Sequence, residues 1–356
     1  HYKKHEYKRR YIKLNYEGEE GGPGSISAEV DQLANLFGYG DPHSGSVAGT
    51  ATDVVLADLG SPTGSIDAND DIAVATTDSV HVFLCDGNGG IASQVTYFLS
   101  GYTSLAAIDS GDIDGDGTND LVVVNSLTNE FIPIFNESQD IALLTVGSAV
   151  STGPFPTDVL AMNIDGDGDD DVIVACYGYS FTDGEINFFE AVPALQAGGF
   201  ADGGSLASPG NPGKINPGEV VNDKDFHLYV SFGSGNSVGK AGGGSGLRGS
   251  NWSYDSFVNV AFGPSNLAIG DLNGDSLDDV VVACPESDVI CILQGAIDGS
   301  MSSPLWLYVG DEPTSLALLD FDNDGDKDIA VIATNIQTLQ RVVFMYRNDS
   351  STNGGN

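Results

Sequence analysis

Four short stretches of the chain place oxygen-bearing side chains at alternate positions. They read DIDGDGTND from Asp112, NIDGDGDDD from Asn163, DLNGDSLDD from Asp271 and DFDNDGDKD from Asp320. Positions 1, 3, 5 and 9 are Asp112, Asp114, Asp116 and Asp120 in the first loop, and Asn163, Asp165, Asp167 and Asp171 in the second. They are Asp271, Asn273, Asp275 and Asp279 in the third, and Asp320, Asp322, Asp324 and Asp328 in the fourth. Position 7 can add a backbone carbonyl, from Thr118, Asp169, Leu277 or Asp326. Alternate oxygens on a tightly turned loop converge on one point. Six or so hard oxygens in a flexible geometry suit Ca²⁺ better than Mg²⁺, which demands a strict octahedron and keeps its water. No Cys or His lies in any of the loops, which disfavours softer metals. Asp and Gly also make good turns, and one such loop could be only that. Four at matching places are different, because carboxylates so close repel one another without a cation. About four bound Ca²⁺ ions are expected.

The elements around the loops repeat as well. Each loop joins a short apolar run to a β-branched one, as in AIDSGDIDGDGTNDLVVVNS and LAIGDLNGDSLDDVVVACPE. A weaker copy ends its loop at Asp71, with Asp58 separated by an insertion from Asp67 and Asn69; a weaker one still offers Asp225. The last loop positions of the six copies, Asp71, Asp120, Asp171, Asp225, Asp279 and Asp328, lie 49 to 54 residues apart, which suits a four-stranded propeller blade. Third strands follow in SVHVFLCDG, NEFIPIFNE, EINFFEAV, DVICILQG and RVVFMYRND, and fourth strands in SQVTYFLSG, DIALLTVGS and SPLWLYVGD. The expected fold is all-β, a six-bladed β-propeller of four-stranded antiparallel blades, with seven blades as the alternative. The sixth unit stops after its third strand, so an N-terminal strand is expected to complete it. DQLANLFGYG (31–40) is the segment that resembles a fourth strand. SAEVDQLANLF could hold one helical turn. The Gly-rich stretches GGFADGGSLASPGNPGKINPGE and GSGNSVGKAGGGSGLRGSN read as long surface loops inserted into blades three and four.

Two other calcium motifs fail. An EF-hand needs Glu at position 12 and a following helix, but position 12 here is Val123, Val174, Val282 or Val331, inside a strand. A nonapeptide β-helix would repeat every nine residues. The D-x-D-G-D-G-x-x-D loop between two strands, repeated blade by blade, resembles the FG-GAP/VCBS repeat family, best known from the integrin α-subunit propeller. The resemblance spans roughly residues 50–350. It implies Ca²⁺ at the loop between the first and second strands of each of the four good blades. It also implies an extracellular adhesion, recognition or scaffold module. Some propellers of this kind belong to lectins or polysaccharide lyases, which is the alternative function.

Composition narrows the partners. Asp and Glu number 51 against 13 Lys and Arg, for a formal charge of −38. Such a body repels nucleic acid and anionic lipid, and no apolar run is long enough to span a membrane as a helix. The charge is uneven. Residues 1–13 hold six basic residues, Lys3, Lys4, Lys8, Arg9, Arg10 and Lys13, against Glu6. The expected division is a basic arm over 1–26, one propeller over 27–350 and a tail over 351–356. The arm could dock on an acidic neighbour and drive self-association into a filament or surface layer. The start at His1 without Met reads as a processed or truncated chain.

The remaining chemistry is sparse. The five histidines form no HExxH, and no G-x-S-x-G elbow occurs, so no enzyme is expected. Cys284 and Cys291 flank a hairpin and could form a disulfide, whereas Cys85 and Cys176 read as buried thiols. Trp252 and Trp306 could stack on sugars but read first as packing. Asn136, Asn251 and Asn348 open N-x-S sequons. The expected protein is a secreted or cell-surface calcium-binding module that adheres to, or recognises, a protein or glycan.

Overall fold

A computed structural model describes residues 11–17, 25–29, 47–60, 70–86, 90–136, 144–180, 182–192, 199–219, 226–243, 252–321, 324–335, 337–338 and 340–348. The strands form six antiparallel sheets in chain order, the six blades of a β-propeller. Blade one is built from Ala51–Ala57, Asp71–Thr76, Ser79–Cys85 and Ile91–Phe98. Blade two is built from Leu105–Gly111, Asp120–Asn125 and Glu130–Phe135, with an outer strand split into Thr145–Val146 and Val150–Ser151. Blade three is Pro156–Met162, Asp171–Cys176, Glu185–Val192 and Gly199–Ala207, and blade four is Pro212–Glu219, Phe226–Phe232, Ser237–Gly243 and Trp252–Asn259. Blade five is Asn266–Gly270, Asp279–Cys284, Val289–Leu293 and Leu305–Tyr308. Blade six has Asp311–Leu319, Asp328–Asn335 and Gln340–Tyr346 from the C-terminal end.

The second strands are buried on both faces. Asp120–Asn125, Asp171–Cys176 and Asp279–Cys284 are buried at every residue, which is why each reads as a continuous β-branched run rather than an alternating one. Five apolar clusters fill the gaps between successive blades. Leu84, Leu121 and Ile132 meet between blades one and two, and Phe131, Val172 and Phe189 between two and three. Phe188, Phe232 and Trp252 meet between three and four, Val238, Leu267 and Val282 between four and five, and Val281, Leu316 and Val331 between five and six. Trp252 is core, stacked on Phe188 at 5.2 Å, whereas Trp306 is 63% exposed on the outer strand of blade five.

An N-terminal strand does complete the last blade, but it is Tyr11–Glu17, from within the basic arm. It pairs with Gln340–Tyr346 in the register Tyr11↔Phe344 and Ile12↔Val343. Ser25–Glu29 then pairs with Tyr11–Glu17, so this sheet has five strands. The expected closing segment 31–40 lies outside the described residues, and the start of the expected helical turn, Ser27–Glu29, is strand. YIKLNYE combines β-forming Tyr and Ile, and its pairing satisfies the edge of Gln340–Tyr346 that would otherwise be open.

The described parts of the Gly-rich stretches are strand rather than inserted loop, and residues 244–251 lie outside the described residues. Gly199–Ala207, Pro212–Glu219 and Ser237–Gly243 are regular blade strands. Their glycines make room for aromatic rings. A Cβ on Gly239 would lie 2.7 Å from the Phe232 ring and 2.9 Å from Phe257, and one on Gly243 would lie 2.5 Å from Trp252. Glycine is the residue that lets a neighbouring ring lie flat on a strand backbone. Cys284 and Cys291 are free, buried thiols with sulfurs 3.8 Å apart. Cys291 opposes Val282 and Cys284 opposes Val289, so the two cysteines meet on a diagonal rather than face to face.

Candidate metal centre

Each acidic loop sits between the first and second strands of its blade, and its own side chains fold it. Asp112 accepts the N–H groups of Asp116 and Gly117 on its two oxygens, at 3.0 and 2.9 Å. Asp320 repeats this with Asp324 and Gly325, at 3.1 and 3.0 Å, and Asp271 does it with Gly274 and Ser276, at 2.7 and 2.8 Å. Among the described residues the carboxylates or amides at positions 3 and 5 accept the N–H two residues on, as Asp116 does from Thr118 at 2.9 Å and Asn273 from Asp275 at 2.9 Å. These are Asx turns in series. Position 6 must be left-handed, and it is Gly117 (φ 87°), Gly168 (φ 116°), Gly325 (φ 96°) and, against the usual preference, Ser276 (φ 66°). The turns gather side chains that sequence spacing alone only suggests: carboxylate oxygens of Asp112, Asp114 and Asp116 lie within 4.8 Å of one another.

Position 9 does something the sequence reading did not anticipate. Asp120, Asp171, Asp279 and Asp328 are buried to within 1%. One oxygen of each accepts the N–H of loop position 2: Ile113 at 3.1 Å, Ile164 at 3.1 Å, Leu272 at 3.0 Å and Phe321 at 2.7 Å. The other accepts an N–H just beyond, or at the end of, the third strand: Asn136 at 2.7 Å, Ala191 at 3.1 Å, Gly295 at 2.9 Å and Asn348 at 2.7 Å. The carboxylate is therefore a staple that holds the loop against the third strand. Asp71 does the same for Leu59 and Cys85, so blade one keeps the staple. Asp67, Asn69, Asp225 and Asp322 lie outside the described residues.

The donor set fits a hard cation. Asp169, at position 7 of the second loop, is buried, and its Oδ1 has no hydrogen-bond partner. Burial first, then the neighbouring Asp167 and Asp165, push its carboxyl up to about 7. Burial likewise pushes Asp120 up to about 8 and Asp171 to about 7, with the loop's other aspartates adding to the rise. Groups so placed resist ionising together until positive charge joins them. Asp112, Asp114, Asp116 and the position-7 residue Thr118 in blade two, and Asn163, Asp165, Asp167 and Asp169 in blade three, are the residues that could hold an ion. Asp271, Asn273, Asp275 and Leu277 are their counterparts in blade five, and Asp320, Asp324 and Asp326 in blade six.

Two further sets tie the blades together. The sequon residues Asn136 and Asn348 donate their side-chain amides inward. Asn136 donates to the carbonyls of Leu59 and Asn119, at 3.2 and 3.1 Å, and Asn348 to those of Leu272 and Lys327, at 2.6 and 3.1 Å. Each thus clasps its own loop and the loop of the preceding blade, which leaves neither amide for a glycan. Asn251 lies outside the described residues. At the centre of the ring, the first strands of blades one, two and three each lend a side chain to the next. Asp53 accepts from Ile108, Asp109 from Ala161 and Asp158 from Ile215. Lys214 of blade four bonds Asp158 at 2.6 Å and reaches Asp53 of blade one at 3.6 Å, across the ring. Burial alone would lower the Lys214 ammonium's pKa, but Asp158 and Asp53 raise it, so it stays charged. An acid within each of three successive inner strands was the only signal in the sequence, and it does not name Lys214 as the partner.

The fold and its loops define the class: a six-bladed β-propeller with acidic loops at one end of its blades. Residues 271–331 match an FG-GAP-like repeat, and with six such blades the chain fits an FG-GAP repeat propeller. No curated protein sequence matches it. Among solved structures it is similar to BBS1N in complex with ARL6DN (TM-score 0.57, 10% identity, 95% of this chain and 93% of that one). It is also similar to the Dos1 propeller (TM-score 0.55, 10% identity, 94% and 75%). A third is PpgL, a periplasmic gluconolactonase of Pseudomonas aeruginosa (TM-score 0.55, 14% identity, 82% and 79%). At these identities the likeness is one of fold.

Proposed function

We propose that the protein is a calcium-binding propeller acting outside cells as a recognition or adhesion module, its blades locked by ions in the acidic loops. The observation that carries this reading is the convergence of Asp112, Asp114 and Asp116 within 4.8 Å, in a loop type that recurs in blades three, five and six. Extracellular calcium is millimolar, the range in which exposed, flexible oxygen sites fill. The ions would supply positive charge that offsets carboxylate repulsion and fixes each loop. The basic residues Lys3, Lys4, Lys8, Arg9 and Arg10, which precede the closing strand in the chain, would supply the charge for docking on an acidic neighbour.

Thermal unfolding with calcium and then with chelator tests the reading. A site at a hundred times its dissociation constant contributes about 2.7 kcal/mol, so several sites together should move the midpoint on the order of ten degrees. An unchanged midpoint would reduce the acidic loops to turns and remove the proposal. Light scattering on the same samples, with and without residues 1–10, reads self-association through the arm.

A further inference from the structure

The end of the blades opposite the acidic loops carries a different surface. There, between blades two and three, lies a cleft of about 500 Å³ walled by Phe155, Pro156, Tyr177 and Tyr179, with Ser126 and Thr157 in its lining. Three aromatic rings are held out rather than packed in: Tyr179 is 72% exposed, Phe155 42% and Tyr177 41%. Phe155 and Tyr179 meet nearly at right angles, 82° apart with centroids 5.4 Å apart, and so form a corner. Phe155 adopts a left-handed backbone (φ 52°), unusual for a bulky residue. Three hydrogen bonds hold it there: its N–H donates to Asn129 Oδ1, its carbonyl accepts from Tyr177, and the carbonyl of Pro154 accepts from Gly178.

Two observations select the occupant. The first is charge. From residue 82 to residue 213, which covers blades two and three, the chain contains no Lys, Arg or His. Asp183 stands against Gly178 in the cleft lining, and Glu185 against Gly153, next to the Phe155 turn. The second is hydrogen bonding. The aliphatic hydroxyls in the lining are already engaged, Thr157 Oγ1 with the carbonyls of Ala175, Pro212 and Gly213 and Ser126 Oγ with Ser104, which leaves the phenols of Tyr177 and Tyr179 as its remaining hydroxyls. A saccharide would find few partners there. A methylated ammonium needs none, and it is attracted by ring faces and by the acidic surroundings.

We propose that this cleft is a binding site for a quaternary ammonium group on a small, non-anionic molecule, held against the Phe155–Tyr179 corner and Tyr177. The inference gives the recognition reading a ligand class, and it does not depend on calcium in the loops. The test is an NMR titration of the full chain with choline chloride, in calcium and again in chelator. Its comparators are the uncharged isostere 3,3-dimethylbutan-1-ol, phosphorylcholine, glucose and phosphatidylcholine vesicles.

Choline should bind saturably and about tenfold or more tighter than the alcohol. Tyr179→Ala should weaken it roughly tenfold and Tyr179→Phe by no more than about threefold, because the ring face is the binding element. The exposed position leaves the melting temperature unchanged. Phosphorylcholine should bind more weakly than choline, and the vesicles should not retain the protein. The proposal falls if choline does not saturate, if the alcohol binds as well, if glucose binds in its place, or if phosphorylcholine or vesicles bind better. Choline binding that persists in a protein indifferent to chelator would leave this site standing while the calcium reading falls.

Discussion

Replacing Asp171 by alanine tests whether position 9 is a staple in its own right. Its carboxylate is fully buried and accepts N–H groups from Ile164 and Ala191, both at 3.1 Å and both from buried residues. Alanine would leave two buried donors without partners, at about 1–3 kcal/mol each. Relief of the buried carboxyl, whose pKa burial raises to about 7, returns part of this. We set the net loss at about 3 kcal/mol, or roughly 4 °C in midpoint for a chain of this size. Asp171→Asn keeps one acceptor but turns an amide N–H toward the second donor, so about 2 kcal/mol should be lost. The assay is thermal unfolding followed by circular dichroism in chelator, where a loss of metal ligation contributes nothing. Asp167→Ala, which changes an exposed loop position, is the control and should leave the chelated protein within about 0.5 kcal/mol of wild type. If Asp171→Ala is no worse than Asp167→Ala under chelation, the staple is not stabilising and the reasoning is wrong.

Three other outcomes follow from the same geometry. Asp109 is half-buried near the buried Asp158, with Asp53 and Lys214 in the same cluster, and desolvation is the main cause of its rise to about 7. The folded chain then holds its proton more tightly than the unfolded one. This contribution is complete below about pH 4 and is lost as pH rises toward 7, by at most about 1.4 kcal/mol per pH unit. Asp109→Asn should flatten that slope in chelated protein, and an unaltered slope in urea unfolding across this window would contradict it. Asn136→Ala removes two hydrogen bonds, one to blade one and one to its own loop, and should lower stability by about 2 kcal/mol. Mass spectrometry of chain secreted by a glycosylating host should find Asn136 unmodified. Gly117 has open space around it at φ 87°, so Gly117→Ala should lose about 1–2 kcal/mol from backbone conformation alone. Ser276→Gly, at the equivalent left-handed position, should leave stability unchanged or slightly raised.

Much of the molecule was legible in the sequence because it is written locally. The second strands carry continuous β-branched apolar runs, the loops carry oxygens at alternate positions, and a repeat near fifty residues supplies the blade count. Asx turns span two to five residues, so DIDGDGTND folds by rules contained within itself. Other features depend on what distant segments bring. Glycine at 239 and 243 reads as a loop until the rings of Phe232, Phe257 and Trp252 are seen to occupy the space a Cβ would fill. Asn136 and Asn348 match a surface sequon until the carbonyls of the preceding blade claim their amides.

The sequence by itself determined the repeat, the six blades and the oxygen-rich loops, since periodicity and turn chemistry act over a few residues. The tertiary structure alone decided that Tyr11–Glu17 closes the ring, that Lys214 crosses it to Asp53, that the ninth loop residue staples the third strand, and that three aromatic side chains share an acidic cleft. Each of these joins residues far apart in the chain. Their contact depends on how the blades stack and on which buried polar groups need a partner once water is excluded.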